Sequence, residues 1–265
     1  GPLRDYPGFD QIAQGMSGLM SVTGTEESGP TRVGIAICDL LGGIFSAQGI
    51  LLALEARHRT GRGQKVETSL VESIVSILSW SAGLYFDTGR TPGPAGNHHP
   101  LSSPHGVFKA EDRPFNIAVG NEAMWRKFVG VIGRAELASD ERFTGTGHRI
   151  KNRAALTEEI NQALASHPAQ YWIDILNREG IPSGPILTIE EMFKHPQTAA
   201  REMLLKMPHP ALGTYLTTGL AAKLSETPGH VTRPPMLGEH TEAVLLANGF
   251  TIDEIGKLRE AKAIA

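Results

Sequence analysis

Residues 33–43 read VGIAICDLLGG, two apolar runs separated by a single carboxylate, Asp39. The apolar segment at 31–38 is typical of a strand, and residues 40–57 continue without proline over a length typical of a helix. Apolar side chains surround this helix on all sides, which predicts that it is fully buried. A lone carboxylate at the junction of two apolar segments therefore calls for an explanation.

Three glycines, Gly42, Gly43 and Gly49, interrupt the predicted helix. Each costs up to about 1 kcal/mol relative to alanine, so we expect another segment or a ligand to approach closely there. The helix runs into RTGRGQ at residues 59–64. Its cations suit either phosphate groups or the negative end of the helix, and a glycine cap at Gly61 or Gly63 favours the second interpretation.

Strand-like and helix-like segments alternate along the first part of the chain. Residues 64–69 alternate as in a strand, and residues 70–86 have the spacing of a second buried helix. This order favours an α/β layer architecture. Residues 88–106 are rich in Gly, Pro, Ser and His and predict one long irregular loop, a kind of segment that is usually functional or disordered.

The remaining sequence predicts a smaller α+β domain and a C-terminal segment that returns to the large domain. A hairpin is expected at 106–120, followed by helices, then an extended pair at 204–218 and a last helix from about His240. The helical patterns lie at residues 122–132, 153–179 and 189–193. The predicted domains are a large α/β domain at 1–100, a small α+β domain at 101–205, and a linker with C-terminal return at 206–265.

Composition limits the function classes. The 265 residues carry 25 Lys+Arg against 28 Asp+Glu, a formal charge of −3, which disfavours a nucleic-acid partner. A single cysteine, Cys38, cannot form an intramolecular disulfide, which predicts a cytoplasmic protein or one in an organelle matrix. Within its apolar run Cys38 is interpreted as a small buried hydrophobe and not as a nucleophile. Polar residues break the longest apolar stretch, so we expect no membrane span.

The chain resembles the family III CoA-transferases of the CaiB/BaiF type, which include formyl-CoA transferase, carnitine CoA-transferase and α-methylacyl-CoA racemase. The resemblance rests on fragments that follow one another in family order over nearly the whole chain: RDYPGFDQIAQGMSGLMSVTG, VGIAICDLLGG, RTGRGQKVETSLVES, GNHHP, GIPSGPI, HPQTAAREM and RPPMLGEHTEAVL. It implies an α/β fold with a nucleotide-binding-like large domain, a linker and a small domain, assembled as an interlocked homodimer.

Family members also carry a substantial segment ahead of the RDYPGFD motif, with half of the large domain and many CoA contacts. This chain begins at Gly1 without an initiator methionine and so looks like the C-terminal portion of a longer protein. Without that segment we expect weak CoA binding and little turnover. The family's CoA contacts come largely from it, so the CoA-binding residues are not identified here.

The resemblance makes Asp39 the nucleophile of a CoA transfer between an acyl-CoA and a carboxylic acid, with coenzyme A entering as part of the substrate. A carboxylate suits this chemistry because it forms both an anhydride and a thioester. We expect apolar surroundings that exclude water and a helix N-terminus that favours the charge. The pattern alone favours Asp39 as a helix N-cap; the resemblance favours the nucleophile, and the two roles are compatible. Asp10 matches an acidic position that orients the nucleophile, or else is a surface turn residue.

The segment PAGNHHP at 94–100 resembles the glycine-rich loop that covers the family's active site, with Gly96 and Asn97 as the matching positions. His98 beside them is a candidate for binding an acyl carboxylate. Adjacent histidines lack the helical spacing of a zinc pair, so we expect no metal site. Without the resemblance, the same loop is an ordinary surface turn.

Two other functions stay open. Racemases of the family need a histidine where this chain has Phe9, and phenylalanine cannot move a proton, so CoA transfer is favoured. The third interpretation is a non-catalytic protein that keeps the fold. Small dicarboxylates such as succinate are plausible acids because many relatives use them, but these residues do not identify the donor or the acceptor.

Overall fold

The computed structural model of the protein describes residues 1–264. The chain divides into two compact units, Gly1–Ile186 and Leu187–Ala265. Helices and strands occur in both units, in agreement with the predicted α/β class. The three predicted domains stay a prediction.

The first hundred residues are mainly helical. Gly24–Thr25 (β1) and Gly29–Pro30 (β2) form a small antiparallel hairpin. The helices in this part are Asp10–Met16 (α1), Leu19–Val22 (α2), Ile37–Thr60 (α3), Leu70–Val75 (α4) and Ser79–Thr88 (α5). The predicted helix at 70–86 is thus divided into α4 and α5, because the chain turns at Ser79, whose φ is +46°.

The strands predicted at 31–38 and 64–69 do not form. Residues 31–36 and 64–69 are irregular, and residues 37 and 38 belong to α3. A strand needs a neighbour that completes its backbone hydrogen bonds. Around residues 31–38 side chains take that place: the Val33 N–H donates to Gln14 Oε1 (2.9 Å) and the Cys38 N–H donates to Asp10 Oδ1 (2.8 Å). Both strand predictions are therefore wrong for this chain.

The predicted long helix is confirmed as α3, which extends to 24 residues. The prediction of full burial is wrong, because the buried residues of α3 are Cys38 and Gly42, whereas Ile44 and Leu51 are 60% and 66% exposed. The helix packs on one side against α1 and α4. Its other apolar side faces none of the described residues.

Two of the three helix glycines lie at close approaches, as expected, but the expectation is wrong for Gly43, where a Cβ would meet no atom within 4 Å. A Cβ on Gly42 would stand 3.0 Å from Leu70 Cδ2, and a Cβ on Gly49 would stand 2.7 Å from Val66 Cγ1. At the other end Gly61 caps α3 with φ +70°, and its N–H donates to the Arg57 carbonyl (2.8 Å). This glycine cap confirms the structural interpretation of RTGRGQ.

An antiparallel sheet and a set of helices form the second part of the first unit. His105–Lys109 (β3) pairs with Pro114–Ala118 (β4), which confirms the hairpin, and β4 pairs with Ser183–Pro185 (β5). One sheet face is buried against helices, in a core that includes Phe108 and Phe115. The helices are Glu122–Val131 (α6), Thr146–Lys151 (α7), Arg153–Leu164 (α8) and Ala169–Arg178 (α9), with a 3₁₀ turn at Ala135–Ala138.

The single helix predicted at 153–179 is divided into α8 and α9. Pro168 occupies the N-cap position of α9 with extended backbone angles (φ −61°, ψ 155°), where proline's missing N–H costs no helical bond. At the other end of α8, Arg153 is its first residue. The helix α8 contacts β3, and Asn161 Oδ1 of α8 accepts from the Lys109 N–H of β3 (2.8 Å).

The second unit begins with two short helices and continues with a hairpin. Thr188 and Glu191 form a capping box at the start of the first helix, consistent with its predicted place near Ile189. Leu204–His209 (β6) pairs with Gly213–Thr218 (β7), which confirms the extended pair. The helices of the unit are Ile189–Lys194 (α10), Pro196–Ala200 (α11), Thr241–Ala247 (α12) and Ile252–Glu260 (α13).

Within residues 1–264, α3 is the helix whose length and apolar composition meet the criteria for a membrane span. The core helix of a soluble protein and a signal sequence meet the same criteria. The helix therefore does not decide the prediction that the protein lacks a membrane span.

Candidate active site

Asp39 lies in the first turn of α3, as the third helical residue. The helix begins at Ile37 and its N-cap is Ala36, so the alternative role of Asp39 as the N-cap is wrong. Its side chain is exposed and forms no hydrogen bond or ion pair with any residue from 1 to 264. The dry surroundings expected around this carboxylate are absent from the described part of the chain.

Asp10 caps the helix that carries Asp39. The Asp10 side chain is buried, and its Oδ1 accepts from the Cys38 N–H (2.8 Å) in the first turn of α3. Its Oδ2 accepts from Gln14 Nε2 (2.6 Å), one turn further along α1. The alternative in which Asp10 is a surface turn residue is wrong, and the geometry makes it a residue that positions the start of α3.

Hydrogen bonding keeps the Asp10 carboxyl ionised. Burial raises its pKa, but hydrogen bonds from Gln14 and from the backbone N–H groups of Cys38 and Asp39 outweigh burial and hold the pKa below its usual range. Gln14 is fully buried, and its Oε1 accepts from the Val33 N–H (2.9 Å). Asp10 and Gln14 together thus connect α1 to the segment that leads into α3.

Cys38 is fully buried beside Asp10. Burial raises the pKa of its thiol, and the negative charges of Asp10 and Asp39 raise it further. A neutral, inaccessible thiol is a poor nucleophile. The interpretation of Cys38 as a small hydrophobe is confirmed.

Backbone hydrogen bonds hold the loop with Gly96 and Asn97 in place. The Gly96 N–H donates to the Gly24 carbonyl (2.8 Å), and the Asn97 carbonyl accepts from the Val107 N–H (3.1 Å) of β3. His98 forms an antiparallel bridge to Gly106, whose hypothetical Cβ would stand 2.4 Å from the Asn97 oxygen. Glycine at position 106 therefore lets the loop lie against the edge of the sheet.

The histidines of the loop pack against rings. His98 makes an edge contact with Phe108 at 6.0 Å between ring centroids, and His99 stacks on His105 at 4.8 Å. Burial and the nearby charge of Arg153 lower the pKa of His98, so its imidazole is neutral at physiological pH. Among residues 1–264 no group of three or more His, Cys, Asp or Glu side chains is placed to hold a metal ion.

Gly96, Asn97 and His98 line one cavity of about 790 Å³ in the first unit. The structure brings these three predicted site residues together but places neither Asp39 nor Asp10 in the lining. Sequence reasoning missed two cations in the same lining, Lys109 and Arg153. Nothing in their local pattern indicates a site, because they lie 44 residues apart and only the fold brings them to one cavity.

Sequence comparison connects the chain to CoA-transferases. The sequence profile of CoA-transferase family III matches residues 1–241. The acetyl-CoA:oxalate CoA-transferase of Acetobacter aceti is 39% identical over 247 residues, which are 92% of this chain and 62% of that protein. The succinate–glutarate CoA-transferase of Agrobacterium fabrum is 34% identical over 256 residues, or 96% of this chain and 63% of that protein.

Solved structures share the fold. A CaiB/BaiF family protein from Brucella suis is 33% identical, with a TM-score of 0.78, and the match covers 93% of this chain and 64% of that one. A protein from Mycobacterium tuberculosis is 25% identical with a TM-score of 0.79, covering 91% and 65%. The chain thus spans about three fifths of the length of the curated relatives it matches.

Proposed function

Because the chain belongs to CoA-transferase family III, we propose that the protein moves CoA from an acyl-CoA donor to a carboxylic acid, with Asp39 as the nucleophile. One observation carries the assignment of Asp39. Asp10 accepts the hydrogen bond at the start of α3, which leaves the Asp39 carboxylate exposed and without a partner among residues 1–264. A nucleophile needs a lone pair that no N–H occupies.

The proposed reaction begins when an oxygen of Asp39 attacks the thioester carbonyl of the donor. The C–S bond breaks, which gives a mixed anhydride and CoA thiolate. The thiolate then attacks the aspartyl carbonyl, releases the donor acid and leaves an aspartyl-CoA thioester. The acceptor carboxylate attacks this thioester to form a second anhydride, and the released thiolate attacks its acyl carbonyl, which yields the new acyl-CoA and free Asp39.

Asp39 lies in the first turn of α3, where the N–H groups of the helix start have no partner within the helix. Negative charge within the first turn of a helix is stabilised by roughly 0.3–1 kcal/mol through the helix dipole. Asp10 acts indirectly, by fixing the first turn of α3. Gly96 and Asn97 are proposed to approach the reacting carbonyl. The Gly96 N–H already donates to the Gly24 carbonyl, so the Asn97 N–H is the backbone donor proposed to stabilise a developing oxyanion.

We also propose short dicarboxylic acids as the acid substrates, because the relatives' names refer to oxalate, succinate and glutarate. The proposed assembly is a homodimer in a reducing compartment such as the cytoplasm. The uncovered apolar side of α3 supports such an assembly, because an apolar helix face of this length is stabilised by burial. A second copy, or the part of the relatives that this chain does not span, would cover it.

The test is intact mass spectrometry of the protein, expressed from the complete open reading frame, after mixing with short acyl-CoAs. We expect a mass gain corresponding to an acyl group or to CoA, and its absence in Asp39→Asn. Asp87→Asn is the matched control because Asp87 is also an exposed helical carboxylate without a partner among residues 1–264.

Three results would contradict the proposal. An adduct that persists in Asp39→Asn would place the nucleophile elsewhere. Acyl-CoA binding without adduct or transfer would favour the non-catalytic interpretation. Exchange of the α-proton with deuterated solvent, without transfer, would favour the racemase.

A further inference from the structure

The cavity that Gly96, Asn97 and His98 line also has Lys109 of β3, three residues of α8, and Glu26 at the tip of the first hairpin in its lining. Residues 94–98 supply the part that belongs to the loop. The α8 residues are Arg153, Thr157 and Asn161. Its volume of about 790 Å³ is sufficient for a small organic acid. Polar groups from separate elements therefore converge on one space.

Arg153 is a half-buried cation without an acidic partner among residues 1–264. Its Nη2 donates to the carbonyls of His99 (2.9 Å) and Pro100 (3.5 Å), while Nε and Nη1 make no hydrogen bond within residues 1–264. Burial lowers the pKa of Arg153 because the charge is partly removed from water. A cation in this position favours an anionic ligand, since burying an unpaired charge is costly.

Lys109 and Asn161 extend the set of available donors. Asn161 Oδ1 accepts from the Lys109 backbone N–H (2.8 Å), which leaves Asn161 Nδ2 as a donor. The Lys109 ammonium forms no ion pair with any described residue. With neutral His98, the two cations outnumber the single carboxylate of Glu26, so the cavity favours an anion.

We propose that Lys109 and Arg153 bind the second carboxylate of a dicarboxylic acid or of its CoA thioester. The proposal rests on the proposed function, which places Gly96 and Asn97 of the same cavity at the reacting carbonyl. The phosphates of CoA lie a whole pantetheine arm away from that carbonyl. An anion bound beside Asn97 is therefore the far end of the acyl group and not the nucleotide.

The test compares glutarate with pentanoate, which has the same number of carbons and one carboxylate. Dissociation constants are measured by titration calorimetry on the protein from the complete open reading frame. We expect the wild type to prefer glutarate, and Lys109→Gln to reduce that preference on the order of tenfold, as for other hydrogen bonds between charged groups.

Further variants check the fold and the sign of the effect. Lys109 is exposed, so Lys109→Gln should fold. Lys206→Gln, at an exposed lysine of the second unit, is the matched control and should leave the preference for glutarate unchanged. Arg153→Lys keeps the charge but loses the donors on Nε and Nη1, so it should also reduce the preference. Glu26→Gln removes a negative charge from the lining and should strengthen glutarate binding.

An unchanged preference in both Lys109→Gln and Arg153→Lys would overturn the proposal, as would weaker glutarate binding in Glu26→Gln. Inorganic phosphate that binds at these residues more tightly than glutarate would also overturn it, in favour of a phosphate site. A reduced preference without any adduct on Asp39 would keep this subsite and refute the proposed transfer. An adduct on Asp39 together with an unchanged preference for glutarate would support the proposed transfer and refute this subsite.

Discussion

Replacement of Gln14 by methionine tests the cap that positions Asp39. Methionine has a similar shape but offers no amide, so Gln14→Met removes the donor to Asp10 (2.6 Å) and the acceptor of the Val33 N–H (2.9 Å). Gln14 is fully buried, so water does not replace these partners freely. A buried polar group left without a partner costs about 1–3 kcal/mol, and we expect a total loss of unfolding free energy of about 2–4 kcal/mol.

The same variant should change the response to acid. The pKa of Asp10 is lowered in the folded state, so its contribution to stability is present above the unfolded value of about 3.9 and is lost as pH falls through the folded value. Without Gln14, the folded pKa of Asp10 lies closer to its ordinary value. The stability gap between wild type and Gln14→Met should therefore narrow in acid.

Urea unfolding at pH 7 and at steps down to about pH 3 measures both effects. Gln11→Met is the matched control, because Gln11 lies exposed on the same helix and has no hydrogen bond within residues 1–264. A Gln14→Met variant as stable as this control would refute the cap. A large gap that stays constant with pH would refute the part assigned to Asp10.

Three more predictions follow from packing. Arg149→Met should lower the unfolding free energy by about 3 kcal/mol. Buried Arg149 donates to the carbonyls of Ser103 (2.8 Å) and Phe143, and both carbonyls would lose their donor. Chemical denaturation measures this loss of stability. Gly106→Ala should speed hydrogen exchange in the loop, since its Cβ would collide with the Asn97 oxygen at 2.4 Å. A disulfide reagent should modify the Cys38 thiol no faster than the protein unfolds, because the thiol is buried. A variant with a cysteine introduced at an exposed position is the control and should react faster.

Local pattern predicted where helices lie but not the breaks at Ser79 and Pro168, and it predicted the strands only in part. The apolar run that became α3 has no proline, and the hairpin β3–β4 carries its own partner within a few residues. Residues 31–36 and 64–69 have strand-like patterns, but a strand is defined by its neighbour, which a pattern does not contain. The prediction that α3 is fully buried failed for the same reason, because burial depends on what covers the helix.

The site was predicted by resemblance more than by pattern. From the residues alone Asp39 is best interpreted as an N-cap, and Asp10 is as well interpreted as a turn residue. The sequence places Asp10 and Gln14 on one helix face. The backbone N–H groups that donate to them lie about twenty to thirty residues further along the chain, and the local pattern does not indicate these partners. Lys109 and Arg153 carried no signal, because a cavity between a loop, a strand and a helix is a property of the fold.

The start of α3 shows why two carboxylates occur where one cap would suffice. A capping carboxylate stabilises a helix by accepting its free N–H groups, and these hydrogen bonds make its oxygens weaker nucleophiles. Asp10 takes the capping role from another helix and keeps its charge through that network. Asp39 then gains the favourable field of the first turn without giving up its lone pairs. This position exposes Asp39 to water, so the anhydride proposed on Asp39 would survive only while substrate or another protein surface covers it. The proposed transfer therefore requires that Asp39 is covered.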